Sequence, residues 1–270
     1  MKYRIIGTTI PAVEIKFDAP GETMYTQSGG MSWMSEGISM STNTRGGFMK
    51  GLGRMFAGES MFMATYRADA PGATIAFAST VPGQVLPIDA AENGGMICQK
   101  GAFLCAQDSV NLDVTFTKKF TSGLFGGEGF ILESISGSGM VFLEIDGDVV
   151  EKQLAPGEVI KVDTGNIVAF EKTVKYEVET IKGLGNIFFG GEGLFLTKIT
   201  GPGRVILQTQ NIADFAGRIA QFIPTKSNLS STFNNIYFNL KKRLLHIHTA
   251  TSFLANFRIR KSGNLSASAT

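Results

Sequence analysis

The sequence predicts an all-β fold of three tandem copies of one glycine-punctuated unit, closed by a short helix. Three observations carry this. A Phe-x-Gly-Glu motif occurs three times at regular spacing. Between the motifs, apolar and polar residues alternate with period two, as on a half-buried strand. The chain also has 33 glycines against 8 prolines, so short apolar runs are separated by many turn-forming positions.

Repeats are sought first, because a missed repeat misreads the fold. Phe56-Ala57-Gly58-Glu59-Ser60, Phe125-Gly126-Gly127-Glu128-Gly129 and Phe189-Gly190-Gly191-Glu192-Gly193 align, and each runs into an apolar segment. A second glycine follows each motif, at Gly72, Gly139 and Gly203, which are 13, 11 and 11 residues beyond the glutamate. Upstream, Gly30, Gly101 and Gly165 precede the same glutamates by 29, 27 and 27 residues. Further back, Pro20-Gly21-Glu22 mirrors Pro156-Gly157-Glu158, with Asn93-Gly94-Gly95 between them. The agreement places the repeats at about 15–83, 84–150 and 151–212.

Within the repeats, Asn111-Leu112-Asp113-Val114-Thr115-Phe116 and Thr173-Val174-Lys175-Tyr176-Glu177-Val178-Glu179 alternate strictly. Each repeat therefore reads as a small curled antiparallel unit, and the three are expected to share or stack their cores. After Gln210 the period changes. Apolar residues at 212, 215, 216, 219 and 223, followed by Pro224, have helical spacing and a helix stop. Residues 1–224 thus form one domain of three repeats and a closing helix. Residues 225–270 are a basic, flexible tail by composition.

Composition narrows the function classes. No apolar run is long enough for a transmembrane helix and the start lacks a secretory signal, so a cytoplasmic protein is expected, peripheral to the membrane if it meets one. The net charge of +2 conceals an asymmetry: the last 44 residues hold six basic and no acidic side chains, which leaves 19 basic against 23 acidic in residues 1–226. A mildly acidic body does not have the basic face of a nucleic-acid binder.

The chemistry of catalysis is sparse. Both histidines, His246 and His248, lie in the tail, so the body has neither the usual general base nor the usual metal ligand. No metal, cofactor or catalytic residue is expected, and the protein reads as a non-enzyme. Cys98 and Cys105 sit in apolar surroundings and read as small buried hydrophobes. The Gly-Glu turns carry no Lys-Ser or Lys-Thr and do not match a phosphate loop. Gly58, Glu59, Gly127, Glu128, Gly129, Gly191, Glu192 and Gly193 are structural turn residues.

The segments just ahead of those turns are unusual. Phe48, Met49, Leu52, Met55 and Phe56, then Leu124 and Phe125, then Ile187, Phe188 and Phe189 are apolar and glycine-flanked. Loop tips are usually polar. They fill a core or subunit interface, or they form an exposed apolar patch for a membrane surface or protein partner. If the repeats are related by rotation, the three tips emerge on one face.

Tandem Phe-Gly-Gly-Glu-Gly units with trailing glycine segments resemble the altered inheritance of mitochondria twenty-four family. The resemblance covers about residues 1–224, and the first copy departs from it at Ala57 and Ser60. It implies three β-sandwich units, like that of the tryptophan RNA-binding attenuation protein, around a pseudo-threefold axis. It also implies homotrimers in bacterial members and a role in inner-membrane organisation for mitochondrial ones. No tryptophan- or RNA-binding residue carries over, because likeness of fold does not transfer function.

Two readings follow. One is a non-enzymatic, trimeric scaffold that engages a membrane surface or membrane protein through its apolar tips. The other is a small-ligand or nucleic-acid binding module using grooves between the repeats.

Overall fold

The structure is a computed structural model, and it describes residues 1–27, 29–43, 63–118, 130–180, 195–220 and 222–223. The chain divides into two compact units, Met1–Ala216 and Gly217–Thr270. The first unit is almost entirely β.

Its strands are β1 (Lys2–Ile6), β2 (Ala12–Lys16), β3 (Thr23–Gln27), β4 (Met31–Met34), β5 (Ile38–Asn43), β6 (Met63–Ala68) and β7 (Thr74–Ala78). Then come β8 (Gly83–Asp89), β9 (Met96–Gln99), β10 (Phe103–Gln107), β11 (Val110–Lys118), β12 (Phe130–Gly137) and β13 (Met140–Asp146). The last are β14 (Val149–Leu154), β15 (Val159–Asp163), β16 (Ile167–Glu171), β17 (Lys175–Thr180), β18 (Phe195–Thr200) and β19 (Gly203–Gln208), followed by helix α1 (Ile212–Ala220).

These strands form four sheets. The first has the order β1-β2-β7-β4 and the second β5-β6-β3-β10-β13-β8. The third has the order β11-β12-β9-β16-β19-β14 and the fourth β15-β18-β17. Every described pairing is antiparallel, and the pairings recur at steps of six strands. The pair β2–β7 has counterparts in β8–β13 and β14–β19. Likewise β3–β6 matches β9–β12 and β15–β18. A register shift falls in the same place in β4, β10 and β16, between Met31 and Trp33, Phe103 and Cys105, and Ile167 and Ala169.

Gly72, Gly139 and Gly203 lead into β7, β13 and β19 with φ of +81°, +111° and +140°. An L side chain is strained there, which explains the glycine at each place.

The core lies between successive sheets. Val13, Ile15, Ile75 and Phe77 of the first sheet cluster with Met24, Tyr66, Leu104 and Phe142 of the second. Val141, Leu143 and Ile145 of the second cluster with Cys98, Ile135, Val168 and Ile206 of the third. Phe130, Leu132, Ile167 and Val205 of the third cluster with Ile199 of the fourth. Alternation along β13 sends Phe142 to one neighbouring sheet and Val141 and Leu143 to the other. That strand is therefore buried almost throughout, as expected of a strand covered on both faces.

Helix α1 forms where the period-3.6 spacing predicts it. Asn211 caps it: its Oδ1 accepts the Ala213 N–H at 2.9 Å. Its apolar side chains Ile212, Phe215 and Ile219 remain between 40% and 47% exposed.

Candidate functional site

The ten apolar tip residues, Phe48 to Phe56, Leu124, Phe125 and Ile187 to Phe189, lie outside the described residues. So do the eight Gly-Glu turn residues and both histidines. The ends of the three tip segments are described, and they correspond. Each segment joins two neighbouring antiparallel strands between directly paired residues: Asn43 with Met63, Lys118 with Phe130, and Thr180 with Phe195.

Both cysteines are fully buried, as expected. Burial, and for Cys98 also the neighbouring Glu133 carboxylate, push the thiols well above their ordinary pKa. Neither is a thiolate nucleophile at neutral pH.

Two features were not anticipated. The first is a cavity of about 320 Å³ in the Met1–Ala216 unit. It is lined by the polar residues Thr80, Gln99, Glu144, Asp146, Gln208 and Asn211 and by Val81, Ala102, Ile212, Ala213 and Ala216. Glu144 and Asp146 stand two apart on β13 and are each only 9% exposed. The segment leading into β8 is tied to Glu144, whose Oε1 accepts from Ser79 Oγ at 2.7 Å, Thr80 N at 2.5 Å, Thr80 Oγ1 at 3.0 Å and Val81 N at 3.3 Å. Asp146 Oδ2 accepts the first helical N–H, from Ile212, at 2.9 Å. Gln208 on β19 accepts from Asp146 N at 3.0 Å and donates to the Gly165 carbonyl at 2.9 Å.

Burial raises the Asp146 pKa; the Ile212 N–H opposes this and the charge of Glu144 adds to it. Among the described residues no group of three or more His, Cys, Asp or Glu side chains could hold a metal. The signal in the sequence was faint: Glu144 interrupts the apolar run Val141–Ile145 and Asp146 follows it, yet they look like ordinary alternation.

The second feature is a pair of open sheet edges. In the second and third sheets, β3 pairs with β10 and β9 pairs with β16. Their counterparts by the six-strand step are β15 and β4, which end the fourth and first sheets and are not paired with each other. Trp33 and Met34 on β4 are 46% and 40% exposed and Val159 on β15 is 46% exposed, so apolar side chains accompany these edges. Ser35 N–H donates to Thr74 O at 2.8 Å, so the backbone N–H of Met34 alternates toward the open side of β4. Likewise Gly201 N–H donates to Glu158 O at 2.9 Å, which leaves Val159, Lys161 and Asp163 turned toward the open side of β15.

No helix among the described residues is long and apolar enough to cross a membrane. The sequence pattern of the family described as mitochondrial biogenesis AIM24 matches residues 3–210. An uncharacterized protein of Streptococcus pyogenes serotype M6 is 29% identical over 226 residues, covering 81% of this chain and 89% of that protein. The X-ray crystal structure of a Streptococcus pyogenes protein superposes with a TM-score of 0.66 at 23% identity, over 82% of this chain and 99% of that one. That likeness is one of fold.

Proposed function

The chain belongs to the mitochondrial biogenesis AIM24 family, and from that premise we propose a non-enzymatic scaffold that works as a homotrimer at a membrane surface. The observation that carries the reading is the pair of unsatisfied edges, β4 and β15. A long exposed edge invites another strand, and these two are different surfaces. Their contact is head-to-tail, which closes only as a ring. The recurring pairings support three repeats of one kind, with the β15–β4 pairing completed across the subunit boundary.

The register follows from the two complete sheets. Phe170 pairs with Ile97 and Ala106 with Tyr25. The equivalent residues on the open edges are Met34 and Lys161, whose backbone groups both point outward. Trp33 then faces Val162, and Ser35 faces Ile160.

Trp33 is the sole tryptophan of the chain, so its fluorescence reports this contact. Light scattering is expected to give three times the 29.0 kDa chain mass, with Trp33 emission shifting to the red on dilution. Met34→Pro removes the outward N–H while sparing the Ser35 bond to β7, and is expected to give monomers. A trimer that survives Met34→Pro with unchanged Trp33 emission overturns the edge contact.

Three corresponding pairs of strand ends, Asn43 with Met63, Lys118 with Phe130 and Thr180 with Phe195, support tips that act together. Their membrane role is read from Phe48, Phe125 and Phe188. Liposome co-sedimentation is expected to fall when the three are changed to Ser. Equal sedimentation of the folded variant removes the membrane half of the proposal.

A further inference from the structure

We propose that the cavity beside β13 binds a small organic cation, an ammonium or guanidinium compound with a short apolar body, between Glu144 and Asp146. This inference does not rest on the assembly described above.

Two carboxylates, each nine-tenths buried, share one face of β13 and one cavity wall. Burying a charge is costly unless a counter-charge or several hydrogen bonds compensate it. Both carboxylates spend a single oxygen on donors from the protein. Glu144 places all four of its hydrogen bonds on Oε1, and Asp146 uses Oδ2 for Ile212. Among the described residues, Glu144 Oε2 and Asp146 Oδ1 accept nothing, and no lysine or arginine forms an ion pair with either.

Burial is the main cause of the raised Asp146 pKa; the Ile212 N–H opposes it and the like charge of Glu144 adds to it. Four donors hold Glu144 Oε1 and the helix N-terminus holds Asp146 Oδ2, settings that suit carboxylates. Each carboxylate keeps its second oxygen for a positive ligand.

The shape of the cavity selects the class of cation. At about 320 Å³ it stands at the lower end of small-molecule pockets, roughly 300–1,000 Å³. That is far more room than a metal ion needs, and two carboxylates leave a divalent ion short of ligands. Val81, Ala102, Ile212 and Ala213 line the same cavity and suit a hydrocarbon segment of a few carbons. Thr80 and Gln99 supply polar groups at the same cavity.

The test is calorimetric titration of the full chain with putrescine and with agmatine, beside 1,4-butanediol as the uncharged counterpart and Ca²⁺ as a bare metal. At least one of the two amines is expected to bind and to raise the melting midpoint, as a ligand specific to the native state must. Butanediol and Ca²⁺ are expected to do neither. Glu144→Gln and Asp146→Asn keep the backbone acceptors and are each expected to weaken binding at least tenfold. Ala213→Leu fills the apolar side without touching either carboxylate, and is expected to abolish binding even if a carboxylate variant fails to fold. Absence of binding by both amines, equal binding by the folded variants, or binding of Ca²⁺ alone overturns the proposal.

Discussion

Strands β13 and β4 have the same kind of sequence and opposite circumstances. Strand β13 has β10 on one side and β8 on the other, and both its faces are covered. Strand β4 has β7 alone and leaves Trp33 and Met34 exposed. Each strand is entered through a glycine-bearing turn, and each is apolar at most positions. What separates them is the number of neighbours. Strand β13 finds both its partners within the chain, whereas β4 has one, although its counterparts β10 and β16 each have two. Apolar side chains that would be buried in the middle are thus left exposed at Trp33 and Met34.

Substitutions in the two strands are expected to differ most in their cost to stability. Phe142 is fully buried between the first and second sheets. Phe142→Ala is expected to cost about 3–5 kcal/mol of stability, measured by urea unfolding, since it removes transfer energy and leaves a void. A cost near zero would mean that the middle of the sheet series is not the core. The weaker end sharpens the contrast. Trp33→Ser is expected to cost only about 1 kcal/mol in the isolated chain, because the side chain is half-exposed already. Its larger consequence should be to remove the concentration dependence of the unfolding midpoint, which a subunit contact confers. If that dependence is unchanged in Trp33→Ser, the exposed edge is no interface.

Much of the fold was legible in the sequence. The three glycine landmarks at Gly72, Gly139 and Gly203 all take positive φ, so their spacing marked real turns. The alternation at 111–116 and 173–179 falls on β11 and β17. The helix is found at Ile212–Ala220, and both cysteines are buried. These features depend on residues close in the chain, where period and turn chemistry are direct physical signals. The helical spacing did not reveal that its apolar side chains stay half-exposed, because periodicity identifies a face without saying what covers it.

The functional site was less legible. The tips and the Gly-Glu turns are outside the described residues, and the features that came forward instead lie elsewhere. Glu144 and Asp146 belong to a strand that reads as ordinary, and only the arrival of residues 80–81, 99–102, 208 and 211–216 around them makes a cavity. The edges on β4 and β15 are visible only once all the pairings are counted.

The sequence by itself determined the β class, the turns that set its register, the position of the helix and the inertness of the thiols, because each follows from local period, backbone strain or apolar surroundings. Tertiary structure alone decided which strands acquire two neighbours, which carboxylates share a buried wall and where pairing stops. Those outcomes depend on contacts between residues more than a hundred positions apart, such as Tyr3 with Phe142, and no local pattern encodes them.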